Sequence, residues 1–201
     1  MAYWKRTHTT LAAFLTAALT ATLFTTPTHA KELAIWDQLQ GTNPKGYVLL
    51  MRHALAPGVG DPENFNVNDC STQRNLNEEG RQDARDIGQW LQRREVKILR
   101  VESSRWCRAK ETAQLLNIGK VRPNRNLDSL FEESDLLNHP QTANIKKRIQ
   151  SHRNTRGLLV FVGHFVNFQA VAGVSLDSGE GVLIKATPSG EFKVMGYSPK
   201  P

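Results

Sequence analysis

Apolar positions along this chain fall into two kinds of run, and their alternation sets out the fold. Tyr47 to Met51 (YVLLM) and Gly157 to Val162 (GLLVFV) are short and continuously apolar, as strands buried on both faces are, and Lys97 to Val101 is a further strand. Elsewhere the spacing is helical. Leu33, Trp36 and Leu39 or Gln40 mark a short lead-in helix over Glu32 to Gln40, which Asn43-Pro44 and Lys45-Gly46 end with turn chemistry. Ala84, Ile87 and Leu91 form the inward stripe of a helix that starts at about Asn77, with Asn77 as its cap and Glu78-Glu79 in the first turn, where the dipole favours negative charge. Trp106 to Leu116 and Thr142 to Gln150 read as two more helices, and Gly181 to Lys185 and Glu191 to Met195 as a hairpin around Thr187-Pro188-Ser189-Gly190. Residues 55–73 hold Pro, Gly, Asn and Asp and form a long loop, and residues 117–135 are irregular.

Strands alternating with helices predict an α/β fold, a three-layer αβα sandwich around a mainly parallel sheet. In such sheets ligands bind outside the carboxyl ends of the strands. Two of the buried runs stop abruptly on histidine, VLLMRHA at 48–54 and VFVGHF at 160–165. Both His53 and His164 reach that edge side by side if their strands are neighbours.

The N-terminal residues follow a different pattern. Met1 to Thr10 carries Lys5 and Arg6 and no acid, Leu11 to Phe24 is an Ala/Leu/Thr-rich apolar run, and Thr28-His29-Ala30 closes it with a small residue. This is the plan of a secretory signal peptide. A retained membrane anchor is the competing reading, and the run of about 14 residues is short of the roughly 20 that a spanning helix needs. The expected organisation is a signal peptide over 1–30 and a single domain over 31–201, periplasmic or secreted, with no stable membrane insertion after cleavage. The net charge is +7, and removing Lys5 and Arg6 leaves +5, spread among acids with no basic tract. Nucleic acid is therefore not an expected partner, and the mild positive balance is at most a hint of acidic substrates or an anionic envelope surface. Four histidines remain beyond residue 30: His53, His139, His152 and His164. Cys70 and Cys107 remain as well, able to bridge in an oxidising compartment or to stand as two buried thiols.

What accompanies the two strand-end histidines is arginine. Arg52 directly precedes His53, and Arg105 and Arg108 fall in the first turns of the helix in RWCRAKETAQLL. Guanidinium groups present planar donor arrays to phosphate oxygens, and a helix N-terminus adds oriented N–H groups. The implied site is a phosphate cradle containing two imidazoles.

Arg52-His53-Ala54 after a strand, Ser103-Ser104 followed by Arg108-Ala109 and Thr112-Ala113, and Gly163-His164 after a late strand resemble the histidine phosphatase superfamily, with its phosphoglycerate-mutase-like fold. The resemblance covers essentially the whole chain beyond the leader. Separately these motifs are weak, and jointly they are specific. Ala54 stands where the family usually has Gly, another small residue. By this resemblance His53 is the nucleophile that becomes a phosphohistidine, Arg52, Arg108 and His164 hold the phosphoryl oxygens, and water releases phosphate. No metal or cofactor is implied, since the arginines supply the cationic charge. Nearby cations keep an imidazole neutral with a lone pair free, and a backbone acceptor on its other nitrogen fixes the tautomer. Arg105 occupies a position often held by Pro in the family, and Arg74 is either a further phosphate contact or structural.

The proton donor comes from LDSLFEESDLL, which holds Glu132, Glu133 and Asp135. Glu132 fits the family's Leu-x-Glu and is the first choice, with Glu133 next. The Gly and Trp-Glu-Gly that commonly follow are missing, and without a carboxyl in reach the enzyme would favour good leaving groups. A Cys70–Cys107 bond would tie the loop after His53 over the helix that carries Arg108. His139 and His152, among polar neighbours, are expected to be exposed and idle. The expected substrate is a small phosphorylated molecule or an envelope sugar phosphate, the latter because lipopolysaccharide core heptose phosphatases look like distant relatives. A phosphoglycerate-mutase-like phosphotransferase and a non-catalytic anion-binding module are the competing readings.

Overall fold

The computed structural model describes residues 34–198. The leader expected over 1–30 lies outside the described residues, as does the start of the lead-in helix at Glu32 and Leu33. Residues 34–39 are helical and bury Trp36 and Leu39, the Trp36 indole donating to the Tyr197 carbonyl at 2.8 Å. Strand β1 (Tyr47–Arg52) leads through the long loop, which contains a short 3-10 turn at Cys70–Thr72, to helix α1 (Glu78–Arg93). Then follow β2 (Ile98–Ser103), α2 (Cys107–Leu115), β3 (Val121–Pro123), α3 (Pro140–His152), β4 (Leu158–Gly163), α4 (Phe165–Ala172), β5 (Gly181–Ala186) and β6 (Phe192–Tyr197).

The strands form one sheet in the order β3-β2-β4-β1-β5-β6. Pairs β3/β2, β2/β4 and β4/β1 are parallel, while the C-terminal hairpin adds β5 and β6 antiparallel. Side chains alternate across each strand, so the continuous apolar runs feed two cores at once. Leu49, Met51, Val160 and Val162 pack with Ile87 and Leu91 of α1 and Ala109 and Ala113 of α2. Val48, Leu50, Leu159 and Phe161 pack on the opposite face with Ile145 and Ile149 of α3 and Phe168 and Val171 of α4. The three-layer αβα sandwich follows from these two cores. Among the described residues no helix is long and apolar enough to cross a membrane.

Three details differ from the sequence pattern. Strand β2 runs on to Ser103, past the expected end at Val101, because its polar end is buried with partners: the Glu102 carboxylate accepts from Asn124 Nδ2 at 2.7 Å and Arg148 Nη2 at 3.1 Å. Strand β3 lies within the stretch expected to be irregular. It is three residues long, at the sheet edge, where Pro123 needs no ladder partner. Helix α4 carries no readable period, since FVNFQAVA is apolar on nearly every side and His164 offers no side-chain cap.

Histidines 139 and 152 are also placed differently from expectation. His152 is buried, its Nε2 2.9 Å from the Gly157 carbonyl, and His139 is half-buried as the cap of α3, its Nδ1 accepting from Gln141 N–H. Both are structural, because each satisfies backbone polar groups at a helix end or turn.

Helix α1 sets the position of the segment after His53. Asn77 caps it, accepting from Gly80 N–H at 2.8 Å, and Asn77 N–H donates to the Leu55 carbonyl. The approach is close enough to require glycine: a Cβ at Gly80 would lie 2.2 Å from the Leu55 carbonyl oxygen, and one at Gly88 would lie 2.1 Å from that of Leu116. Gly88→Ala is expected to destabilise the protein by about 3 kcal/mol, the upper part of the usual overpacking range. Urea unfolding measures it, and an unchanged midpoint would contradict this contact.

Candidate active site

The site begins where β1 and β4 end. The two strands are parallel neighbours with Arg52 opposite Gly163, so the next residues, His53 and His164, leave the sheet together. His53 N–H donates to the Gly163 carbonyl at 2.9 Å and Ser104 N–H to the Val162 carbonyl at 2.9 Å, which carries the pairing one residue past the strands. The two imidazole centroids are 5.3 Å apart at 68°. Both rings are buried.

The Nδ1 of His53 is 2.8 Å from the Ala54 carbonyl. A carbonyl only accepts, so Nδ1 carries the proton and Nε2 keeps its lone pair. Ala54 is itself fixed, its N–H donating to Thr112 Oγ1 at 3.0 Å, and that hydroxyl donates to the Arg108 carbonyl at 2.7 Å. Thr112, one turn after Arg108 on α2, thus ties the arginine's helix to the residue behind the histidine. The side chain of Arg108 is 3% exposed, and its Nε donates toward His53 Nε2 at 3.3 Å.

Around this pair stand the other expected residues. Arg52 Nη1 donates to the Leu176 carbonyl at 3.1 Å, its guanidinium lies 5.0 Å from the Phe165 ring centroid, and its Nε is buried with no hydrogen-bond partner. A buried donor without a partner is costly, and an anion beside it removes that cost. His164 Nε2 pairs with Ser104 Oγ at 3.0 Å. Arg74 faces the same cavity and also holds the loop, through Nε to the Gly60 carbonyl at 2.8 Å and Nη1 to that of Ala56. Glu132 and Glu133 are exposed at the rim of the cavity. Asp135 is not among the cavity residues and accepts from Asn138. Arg105 is paired with Asp128, with Nη2 2.6 Å and Nε 2.7 Å from Oδ2, and is not among the residues lining the cavity. The cavity holds about 650 Å³, and Phe65, Trp106, Phe131 and Phe165 line its walls. Among the described residues no group of three or more His, Cys, Asp or Glu is arranged to hold a metal ion.

Two features were not read from the sequence. Asp61, in the long loop, accepts from both terminal nitrogens of Arg108, at 2.7 and 3.1 Å. No spacing signal marks it among the other polar loop residues; only an acid in a loop facing several arginines could have pointed there. The second is the aromatic wall, in which Phe65 stacks on Trp106 with centroids 4.8 Å apart. The Cys70–Cys107 disulfide is present and fastens the loop to the first turn of α2.

Burial pushes the His53 imidazole down to about 3, with the Arg108, Arg52 and Arg74 charges adding to it and the Ala54 carbonyl opposing it. Burial likewise holds His164 well below the ordinary imidazole value, helped by His53 and the same three arginines. Burial acts to raise the Asp61 carboxyl, but hydrogen bonds from Arg108, the Arg74 backbone and Trp106 outweigh it and leave it lowered. Both imidazoles are therefore neutral at neutral pH and the carboxylate is ionised. A neutral imidazole with a free Nε2, beside guanidinium donors, can attack an electrophilic phosphorus and have its charge products stabilised.

Residues 48–156 match the histidine phosphatase superfamily (branch 1), and the chain belongs to that superfamily. The match stops before His164, which the sheet then sets beside His53. Among solved structures, the protein histidine phosphatase SixA complexed with tungstate is similar at a TM-score of 0.58 and 17% identity, over 76% of this chain and 96% of that one. Phosphoserine phosphatase from Entamoeba histolytica is similar at 0.53 and 14% identity, over 76% and 96%. The mycobacterial glucosyl-3-phosphoglycerate phosphatase is similar at 0.52 and 14% identity, over 77% and 99%. These likenesses establish the fold. No curated protein matches the sequence.

The buried imidazole has a consequence for stability. An unfolded His53 takes up a proton near 6.5 while the folded one resists to about 3, so stability is present above that window and lost as pH falls through it. One such group removes about 2 kcal/mol between roughly pH 7 and 5. Urea unfolding of wild type and His53→Asn at both pH values is expected to show the wild type losing that much more. Equal losses would contradict a neutral buried imidazole.

Proposed function

We propose that this protein is an exported, metal-independent phosphatase that hydrolyses a small phosphomonoester through a phosphohistidine on Nε2 of His53. The observation that carries this reading is the tautomer: Nδ1 is committed to the Ala54 carbonyl, so the lone pair of Nε2 faces the Arg108 guanidinium at 3.3 Å. Family membership and the unpartnered Nε of Arg52 support it. Export is supported by the disulfide, which forms in oxidising compartments.

In the proposed reaction Nε2 attacks phosphorus, the bond to the leaving oxygen breaks, and that oxygen takes a proton from Glu132, with Glu133 the neighbouring candidate. Arg52, Arg108 and His164 hold the three phosphoryl oxygens and stabilise the charge spread over them. Water then attacks the phosphohistidine, giving its proton to the same carboxylate, and the P–N bond breaks to release phosphate. The cavity of about 650 Å³ suits a small molecule, and its aromatic walls suit a substrate with an apolar or ring-shaped body, including a sugar phosphate.

A screen of phosphorylated compounds with wild type beside His53→Ala tests the reading. Wild type alone is expected to turn over and to trap an acid-labile, base-stable phosphoryl group. A wild type that binds phosphate without turnover would make the protein an anion-binding module, and transfer to an acceptor with little phosphate release would make it a mutase. Arg108→Ala is expected to lower kcat/KM by about 10²–10³-fold, as loss of a preorganised transition-state donor does. Glu132→Gln is expected to cost far more on an alkyl phosphate than on an aryl phosphate with a good leaving group. Equal costs on both would remove Glu132 from the proton-donor role.

A further inference from the structure

The five donors of Arg108 are divided between two tasks. Along the end of the guanidinium, Nη1 donates to Asp61 Oδ1 at 2.7 Å and Nη2 to Asp61 Oδ2 at 3.1 Å, a bidentate pair, and Nη1 also donates to the Arg74 carbonyl at 3.3 Å. The remaining edge, Nε with the second hydrogen of Nη2, is turned to His53, with Nε 3.3 Å from its Nε2. A planar fork fixed along one edge has its other edge fixed in direction too.

Asp61 is held for that purpose from several sides. Its Oδ1 accepts from Arg74 N–H at 3.1 Å and its Oδ2 from Trp106 Nε1 at 3.0 Å. Its side chain is 15% exposed, in a cavity lined by the charged groups Arg52, Arg74 and Arg108 and, on the acidic side, Glu63, Glu132 and Glu133. The loop that carries it is closed onto α2 at its far end by the Cys70–Cys107 bond and by Cys107 N–H donating to Gln73 Oε1 at 2.9 Å. The carboxylate therefore approaches Arg108 from a loop anchored one residue before that arginine.

We infer that Asp61 is the positioning residue of Arg108, holding the guanidinium's end so that its side edge faces the phosphoryl group on His53. This rests on the proposed phosphatase chemistry. Asp61 touches neither the phosphorus nor the leaving group; it acts through the arginine. It also offsets one of the three cationic charges converging on a buried imidazole, which eases the cost of assembling them.

The test compares wild type, Asp61→Asn and Asp61→Glu on an aryl phosphate, with binding of inorganic phosphate measured separately. A misdirected fork costs transition-state contacts, and a misplacement of about 1 Å can cost about 100-fold, so Asp61→Asn is expected to lower kcat by about that factor. Phosphate binding is expected to hold or tighten, because a negative charge has left the pocket. Asp61→Glu, which keeps a carboxylate, is expected to recover part of the lost kcat. In an Arg108→Ala background, Asp61→Asn is expected to add nothing. A rise in kcat/KM for Asp61→Asn would overturn the inference and make Asp61 an occluding mimic of phosphate. So would a lowered melting temperature with unchanged kcat, which is a structural role only, or additive losses in the double variant. A wild type with neither turnover nor a trapped phosphoryl group would remove the phosphatase reading and this inference together. A fully active Asp61→Asn beside an active wild type would remove this inference alone.

Discussion

A neutral imidazole has one lone pair to give, and at His53 the Ala54 carbonyl decides which nitrogen keeps it. Everything else in the site serves that choice or depends on it. Burial keeps the ring from taking up a proton, the arginine charges reinforce burial, and the Nδ1–H bond leaves Nε2 facing the guanidinium of Arg108. Were the ring exposed, protonation near 6.5 would remove the lone pair over much of the mildly acidic range. The proposed chemistry thus comes from where the chain puts an ordinary histidine.

The fold meets this demand with little apparatus. Parallel pairing of β1 with β4 brings two strand ends together, and each strand continues straight into a histidine. Helix α2 contributes Arg108 from its first turn and Thr112 from its second, so one helix both supplies the guanidinium and fixes the backbone behind His53. Converging Arg52, Arg74 and Arg108 on a buried ring would be unfavourable without compensation. The compensation is visible in backbone carbonyls at Leu176, Gly60 and Ala56, in the face of Phe165, and in the Asp61 carboxylate. The long loop over residues 55–73 carries much of it, which explains why the loop is pinned by a disulfide and by a glycine-close contact between α1 and Leu55.

Much of this was legible in the amino-acid order, because buried parallel strands leave a strong mark. The runs ending at His53 and His164, the capped helix after Asn77 and the C-terminal hairpin all followed from apolar spacing and turn chemistry. What was not legible had physical reasons. Helix α4 is buried on most sides and so has no polar face to give it a period. Strand β2 ends in Glu102 and Ser103, polar residues that only their partners Asn124 and Arg148 make tolerable in a core. His152 sits among polar neighbours in sequence yet is buried against the Gly157 carbonyl, a contact made by the chain's return into β4. Asp61 meets Arg108 across 47 residues, and a pairing of that range leaves no local trace.

The central claim concerns one ring's protonation and tautomer, and nitrogen-15 NMR of the histidine side chains reads both directly. At about pH 5.5, below the ordinary imidazole value of 6.5, the signal removed by His53→Asn is expected to be that of a neutral ring protonated at Nδ1 with Nε2 unprotonated. An imidazolium pattern at that pH, or a neutral ring protonated at Nε2, would contradict the account.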